Sequence, residues 1–252
     1  MNLAVSNLSW DNIDNVKIFE VLKKNNIKNI EGVLSKISNF SDLDDNKLSE
    51  FKKLINNYGI KIQSIQSIFY GTDINSLDEY DKILNHFKLL INYSKKLDFK
   101  IMVFGSPNLR KQINRTYLNN LFKKIDDLLN NQNLILCIEP NTKKYNGQYF
   151  FSINEIVDFI ELNNFKNIKT MIDTHNIILE GEDPIEVLEL NYKHIYHIHV
   201  SEENLKPLSD LDFHLKFSDK LKLSDYNGIV TYELLPCDNF EKQIKLFNKI
   251  YS

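Results

Sequence analysis

Hydrophobic residues along the chain follow two alternating patterns. Short apolar runs bounded by polar residues, as at residues 168–173, are typical of strands that are buried on both faces. Between these runs, apolar residues recur every three or four positions, as at residues 44–58, which places them on one face of a helix. The predicted strands are residues 3–6, 29–34, 61–69, 99–104, 134–139, 168–173, 194–203 and 229–234.

Capping residues indicate where helices begin. Ser152 with Glu155 three positions later forms a capping box, and Asp183 followed by Pro184 opens a short helix. Ser76 is predicted to cap a long helix over residues 76–97. The other predicted helices cover residues 10–22, 44–58, 111–129, 213–221 and 238–251.

The alternation of strands and helices predicts the fold. Eight strand–helix pairs in 252 residues fit a single (β/α)8 TIM barrel that spans residues 1–252 as one domain. No linker, low-complexity tract or change of composition divides the chain. A doubly wound open sheet is the alternative, but the loop after the first predicted strand lacks the glycines of a dinucleotide site.

Composition and charge limit the kinds of partner and the cellular compartment that we expect. A net charge of −3 gives no reason to expect nucleic acid or an anionic membrane surface as a partner. The N-terminus lacks the pattern of a signal peptide, and no apolar stretch reaches the ~18 residues of a membrane span. Cys137 and Cys237, in or near predicted strands, indicate reduced thiols. We therefore expect a cytoplasmic protein.

Ionisable residues stand at the ends of the last four predicted strands. These residues are Glu139, Asp173, His199 and Glu233, in chain order. Taken singly, each carboxylate is as readily a cap or half of an ion pair. In a TIM barrel, however, the strand ends meet at one mouth, where three carboxylates would repel one another unless a divalent cation joined them. This donor set suits Mn²⁺, Mg²⁺ or Co²⁺, with Zn²⁺ as an alternative.

Two histidines share one face of the seventh predicted strand. Alternate strand residues point the same way, so His197 and His199 both lie on the side of Ile195. A buried imidazole requires a partner for each ring nitrogen, and two hydrogen-bonded core histidines are one interpretation. His199 is nearer the end of the strand, and we predict a functional role for it.

Several segments of the chain resemble those of a known family. They are LAVSNLSWD, Ile30-Glu31, SIQSIFYG, VFGSPNLR, IEPN, HIHVSE and YELLP. As a set they resemble the sugar phosphate isomerase/epimerase family, the xylose isomerase-like TIM barrels that also include endonuclease IV. The similarity covers essentially the whole chain and is closest to a branch associated with bacterial surface-polysaccharide genes.

The resemblance implies a metal-dependent isomerase or epimerase that acts on a sugar or sugar phosphate. By this resemblance Glu139, Asp173, His199 and Glu233 are the metal ligands, and Mn²⁺ is the expected ion. The metal would stabilise an enediolate intermediate. Glu139 and Glu233 would flank the substrate carbon, one taking the proton and the other returning it.

Six further residues are predicted to contact the substrate. Arg110 is the partner for an anionic group, because its fork matches phosphate or carboxylate. His175 lies two residues after Asp173 and points inward if its strand continues. Many epimerases of the family place a substrate-binding His three residues after the Asp ligand instead, so a structural role for His175 is equally open. The other four are Glu31, Gln66, Glu202 and His214.

Two other function classes stay open on the sequence. A metal-dependent lyase is one, because a fold does not determine a reaction. An endonuclease IV-like phosphodiesterase is the other, although six histidines and a negative net charge fit poorly with several metals and a basic groove. The expected partner is a small sugar or sugar phosphate, and a homodimer is an open alternative to a monomer.

Overall fold

Eight parallel strands close into a barrel in the computed structural model, which describes residues 1–111, 113–145 and 147–252. Each strand pairs with the next along the chain, and β1 pairs with β8 to complete the ring. The predicted TIM barrel is therefore confirmed. The strands are β1 Asn2–Ser6, β2 Asn29–Val33, β3 Lys61–Gln66, β4 Ile101–Phe104, β5 Ile135–Ile138, β6 Ile168–Asp173, β7 Ile195–Val200 and β8 Ile229–Tyr232.

Amphipathic helices alternate with the strands. They are α1 Asn15–Lys24, α2 Asp45–Asn57, α3 Tyr80–Leu97, α4 Arg115–Leu129, α5 Ile153–Asn163, α6 Thr174–Leu179, α7 Pro184–Asn191, α8 Leu211–Leu223 and α9 Phe240–Tyr251. Ser152 caps α5 as predicted, because its Oγ accepts the backbone N–H of Glu155 at 3.2 Å. Glu155 Oε2 accepts the backbone N–H of Phe151 at 2.9 Å, one residue before the position that a capping box requires. None of the helices that the structure describes is long and apolar enough to cross a membrane.

The start of α3 differs from the prediction. The helix begins at Tyr80, so Ser76 is not its cap. Glu79 Oε1 instead accepts the backbone N–H groups of Asn75 and Ser76, at 2.7 and 3.1 Å, and holds this segment in a turn. The carboxylate thus binds the backbone N–H groups of the turn that precedes the helix.

The start of α4 and the end of β3 also differ from the prediction, and both elements are shorter than predicted. α4 begins at Arg115 rather than near residue 111, because the side chain of Asn114 accepts the N–H groups of the first turn and caps it there. β3 ends at Gln66 rather than at residue 69, because Ser67 has a φ of 52°, which turns the chain out of the strand.

The strands present alternate residues to two apolar regions. One set packs with the helices in the main core, and it includes Val5, Ile30, Met102, Leu136, Ile172, Ile198 and Val230. The alternating set points into the barrel and forms a separate cluster of Ala4, Ile101, Val103, Cys137, Met171 and Ile229. This apolar layer fills the interior, so polar side chains toward the carboxyl ends of the strands lie above apolar side chains.

Candidate active site

Four predicted site residues meet at the carboxyl-terminal end of the barrel, the mouth. Asp173 and His199 face each other across β6 and β7, while Glu139 and Glu233 directly follow β5 and β8. Their donor atoms all lie within 4.8 Å of one another. We call Glu139, Asp173, His199 and Glu233 the four-residue cluster. Its geometry follows from four consecutive strands that each end in one polar, inward-pointing side chain.

The imidazole of His199 stands at the centre of the four-residue cluster. Its Nδ1 lies 3.2 Å from Glu233 Oε2, 3.4 Å from Glu139 Oε1 and 3.8 Å from Asp173 Oδ2. Among the residues that the structure describes, this nitrogen has no hydrogen-bond partner. A buried nitrogen without a partner, ringed by three carboxylates, is a donor set that a divalent cation satisfies.

Electrostatics point to the same need for a cation. Burial, followed by the charges of Glu139 and Glu233, raises the pKa of Asp173 to about 7. Burial lowers the pKa of His199, but the surrounding carboxylates, Glu31 and Glu233 foremost, outweigh it and raise that pKa well above the ordinary value. Negative charge at this position therefore exceeds what the protein itself neutralises. The residues fit a bound Mn²⁺, Mg²⁺, Co²⁺ or Zn²⁺ ion.

Glu31 lies beneath His199 and was predicted to contact substrate. Its side chain is fully buried, with Oε1 2.7 Å from His199 Nε2 and Oε2 2.7 Å from His197 Nε2. Ser64 Oγ also donates to Oε2, at 2.5 Å. These contacts engage both carboxylate oxygens within the protein, and the substrate contact of Glu31 stays a prediction. His199 Nε2 thus faces Glu31 at ion-pair distance and Nδ1 faces the cluster, and a proton on Nε2 is the tautomer that this carboxylate favours.

The His197 ring is the structural member of the histidine pair. It is fully buried, its Nε2 contacts Glu31, and Thr231 Oγ1 lies 3.4 Å from the same nitrogen. Of the two interpretations made from sequence, the buried core histidine applies to His197. Only His199 reaches the mouth, because it lies one strand repeat, two residues, further along β7.

The two carboxylate oxygens of Asp173 make different contacts at the end of β6. Its Oδ1 accepts the backbone N–H of Asn176 at 2.7 Å and Ser201 Oγ–H at 2.9 Å, while its Oδ2 faces His199. The first contact caps α6, a helix absent from the sequence prediction. His175 therefore lies in the first turn of a helix, and the premise that the strand continues through it is wrong.

Gln66 and Arg110 differ in what they leave available to a ligand. Gln66 ends β3 at the mouth, and its Nε2 donates to Ser6 Oγ at 2.6 Å. Arg110 is fully buried and donates to backbone carbonyl groups. These partners lie within the protein, and they favour a structural role for the guanidinium. The substrate contacts of Arg110 and Gln66 stay predictions.

Glu202 and His214, also predicted to contact substrate, form a hydrogen-bonded group with α8 and α9. Glu202 Oε1 accepts the backbone N–H groups of Ser209 and Asp210, at 2.7 and 3.0 Å, and lies 3.2 Å from His214 Nε2. His214 Nδ1 lies 2.7 Å from the hydroxyl oxygen of Tyr251. The structure gives both residues partners within the protein, which favours a role in holding the start of α8.

The contacts of Glu202 predict a pH-dependent contribution to stability. Burial raises the pKa of this carboxyl, but the hydrogen bonds from His214, Ser209 and Asp210 outweigh it and lower the pKa to about 2. The ionised form is therefore favoured in the folded state, and its contribution is lost as the pH falls below about 4.5. The difference in free energy of unfolding between wild type and Glu202→Gln should shrink between about pH 6 and pH 3, measured by urea denaturation. Glu50→Gln, at an exposed position, is the matched control, and a difference that stays constant with pH would contradict the assignment.

Gly105 was not among the predicted site residues, yet its lack of a side chain shapes the cluster. It directly follows β4, and a Cβ atom placed there would collide with Glu139 Oε2. The carboxylate thus occupies the space that any other residue would fill. The only signal in the sequence is a glycine directly after an apolar strand, which indicates close approach of another group without identifying it.

Gly105→Ala should displace the Glu139 carboxylate and weaken metal binding. We expect the affinity for Mn²⁺ to fall about 10-fold or more, in the range seen when a group that orients a ligand is altered. Isothermal titration of metal-free protein measures it. Gly32→Ala is the control, because its Cβ would lie 3.6 Å from the nearest atom, Ile65 Cγ2, in ordinary contact. Equal Mn²⁺ affinity in both variants would show that Glu139 does not need this space.

A cleft opens on the same end of the barrel as the four-residue cluster. Its volume is about 640 Å³, and it is lined by segments that follow β1, β2 and β3, including Leu8, Lys36, Asn39, Ser67 and Tyr70. Lys36 Nζ contacts Asp11 Oδ1 at 3.0 Å and the carbonyl oxygen of Trp10 at 3.1 Å, which partly neutralises it. The size lies in the range of small-molecule sites.

Comparisons with known proteins identify a family. A family described as a xylose isomerase-like TIM barrel matches residues 13–250. No curated protein matches the chain. Among solved structures, an AP endonuclease, family 2, from Brucella melitensis is similar, with a TM-score of 0.79 and 15% sequence identity over 99% of each chain.

Two sugar epimerases also share the fold. The 3-keto-D-glucoside 4-epimerase YcjR from E. coli aligns with a TM-score of 0.77 and 14% identity over 99% of each chain. A D-psicose 3-epimerase from Clostridium cellulolyticum H10 aligns with a TM-score of 0.72 and 16% identity, over 100% of this chain and 90% of that chain. At these identities the likeness shows the fold alone, so the reaction must be argued from the site.

Proposed function

Because the chain belongs to the xylose isomerase-like TIM barrel family, we propose that it is a divalent-metal-dependent isomerase or epimerase of a sugar or sugar phosphate. The observation that carries the proposal is the four-residue cluster, in which three carboxylates and one imidazole from consecutive strands converge within 4.8 Å. Two epimerases among the structures with this fold support the choice of substrate. All four side chains come from one chain, so the proposed chemistry requires no second copy.

Glu139, Asp173, His199 and Glu233 would hold the ion, with Mn²⁺ as the proposed occupant. When bound, a divalent ion supplies positive charge that favours an enediolate over the keto form of the substrate. The protein contributes orientation: Glu31 sets the His199 tautomer, and Ser201 and Asn176 hold Asp173. Each of the two inner ligands thus has a fixed direction before any ion arrives.

Glu139 and Glu233 are the proposed acid and base. Their side chains are 13% and 9% exposed, whereas those of His199 and Asp173 are 1% and 4% exposed. The two glutamates thus lie nearest the solvent in the mouth, where a substrate carbon would arrive. They approach from β5 and β8, which are separated by two strands, so one can take a proton from one face and the other return it.

Metal binding is the first test of the proposal. Purified protein stripped with a chelator should bind about one Mn²⁺ per chain and unfold at a higher temperature with the ion, because a ligand that binds only the folded state stabilises it. Elemental analysis and a thermal unfolding scan measure both. His199→Asn should lose the shift, while His194→Asn, in the turn before β7, should keep it. No binding by the wild type would reject the metal-dependent function.

Reaction class is the second test. With Mn²⁺ and a panel of keto-sugars and their phosphates in deuterated water, an isomerase or epimerase should place deuterium on the carbon next to the carbonyl, seen by NMR. A dehydrating lyase would release water and give a product lighter by that mass, and a lyase that breaks a carbon–carbon bond would give two smaller products. Cleavage of abasic DNA, lost in Glu139→Gln, would favour a phosphodiesterase. Each outcome thus identifies one of the three function classes.

A further inference from the structure

Arg110 is the largest fully buried side chain of the chain that the structure describes. Its guanidinium lies 4.9 Å from the ring centroid of Phe104 and 5.7 Å from that of Phe150. No carboxylate within the described residues forms an ion pair with it. Burial lowers its pKa to about 10, so the group remains charged at neutral pH. A buried charge without a carboxylate partner lowers stability unless other polar groups contact it. The groups that Arg110 contacts therefore indicate its role.

The guanidinium donates to three backbone carbonyl groups around Glu139. Nη2 lies 2.6 Å from the oxygen of Phe104 and 2.7 Å from that of Glu139, and Nη1 lies 3.3 Å from that of Phe150. The Phe104 oxygen also accepts the backbone N–H of Glu139, at 3.1 Å, which extends the β4–β5 pairing to this residue. Arg110 therefore binds the end of both strands at once.

The contact with the Glu139 oxygen lies just past the end of a strand. Strand β5 ends at Ile138, and the Arg110 side chain donates to the carbonyl oxygen of the following residue, Glu139. Asn141 completes the arrangement, because its Nδ2 donates to the Gly105 oxygen at 2.9 Å and its backbone N–H to the Phe150 oxygen at 2.9 Å. The backbone on both sides of Glu139 is thereby held against β4, and its carboxylate lies in the space left at Gly105.

We propose that Arg110 is a positioning residue that holds the backbone of Glu139 so that its carboxylate reaches the four-residue cluster, and that Arg110 does not touch the substrate. The proposal rests on the proposed function of Glu139 as metal ligand and acid or base. Arginine is suited to the task because one planar group can donate to several carbonyl oxygens at fixed angles, which an ammonium group cannot reproduce.

The test compares Arg110→Met, Arg110→Lys and the control Arg115→Met, which alters an exposed arginine that stacks on Phe159. Arg110→Met should weaken Mn²⁺ binding by about 10- to 100-fold, and Arg110→Lys by less. At saturating Mn²⁺, the kcat for exchange of the substrate proton should fall, and it should fall to the same extent for a neutral ketose and for its phosphate. Unchanged Mn²⁺ affinity with a raised KM for the phosphate alone would overturn the proposal in favour of an anion contact.

A double-mutant cycle keeps the test decisive if Arg110→Met does not fold, as judged by far-UV circular dichroism. Arg110→Lys and Gly105→Ala both act on the Glu139 carboxylate, so their effects on Mn²⁺ affinity should be smaller together than the product of the separate effects. Effects that multiply independently would overturn the proposal. Mn²⁺ affinity is read without any sugar, so its loss in the Arg110 variants supports positioning even if the wild type shows no exchange with sugars.

Discussion

Glu233→Gln and Glu139→Gln should each slow the exchange of the carbon-bound substrate proton with deuterated water by on the order of 10²-fold or more. An amide can neither take nor return a proton at neutral pH, whereas each glutamate is proposed to do one of the two. The rate is measured by NMR with a cognate ketose and Mn²⁺. Asp173→Asn is the matched comparison, because it alters a carboxylate of the same cluster that is less exposed and has no proposed acid or base role.

Both substitutions also remove a proposed metal ligand, so Mn²⁺ affinity must be measured in the same variants. The exchange rates are compared at Mn²⁺ concentrations that saturate each protein. Under these conditions a slower rate in Asp173→Asn reports the change of a metal ligand and of the contacts with Asn176 and Ser201, and the additional loss in the glutamate variants reports proton transfer. Exchange at the wild-type rate in both glutamate variants would refute their assignment as the acid–base pair.

Glu31→Gln is expected to lower both Mn²⁺ affinity and stability. The carboxylate faces Nε2 of His197 through one oxygen and Nε2 of His199 through the other. A glutamine offers only one oxygen, so one imidazole N–H would meet an amide N–H in a fully buried place. We expect Mn²⁺ affinity to fall about 10- to 100-fold, because the His199 tautomer is no longer fixed. Loss of one partner of a buried charged pair should lower the free energy of unfolding by about 3 kcal/mol.

Glu202→Gln is a matched control for Glu31→Gln within the same chain. It changes another carboxylate that contacts an imidazole, that of His214, but this pair has no contact with the four-residue cluster in the structure. Both variants should lose stability in urea denaturation, and only Glu31→Gln should lose Mn²⁺ affinity in isothermal titration. Wild-type Mn²⁺ affinity in Glu31→Gln, with a raised KM for the sugar, would instead restore Glu31 as a substrate contact.

The hydrophobic pattern was sufficient to predict the barrel. Strand and helix periods of two and 3.6 residues are local properties of the chain, and eight alternating pairs leave few arrangements that bury every apolar face. The same locality explains the errors at element boundaries. Ser76 has the chemistry of a cap, but Glu79 binds the backbone N–H of Ser76 instead, and α6 depends on a hydrogen bond from Asn176 to Asp173.

Convergence of the four-residue cluster could also be predicted, because strand ends in a closed parallel barrel meet at one mouth wherever the residues lie in sequence. What each neighbouring polar residue does could not be predicted in this way. Glu31 and Arg110 were expected to touch substrate, yet both are fully buried, one between two imidazoles and the other among backbone carbonyl groups. A residue type gives its chemistry, but its partners depend on which strands become neighbours and which side chains leave space, as at Gly105. Those contacts join residues far apart in the chain, and only the tertiary structure decides them.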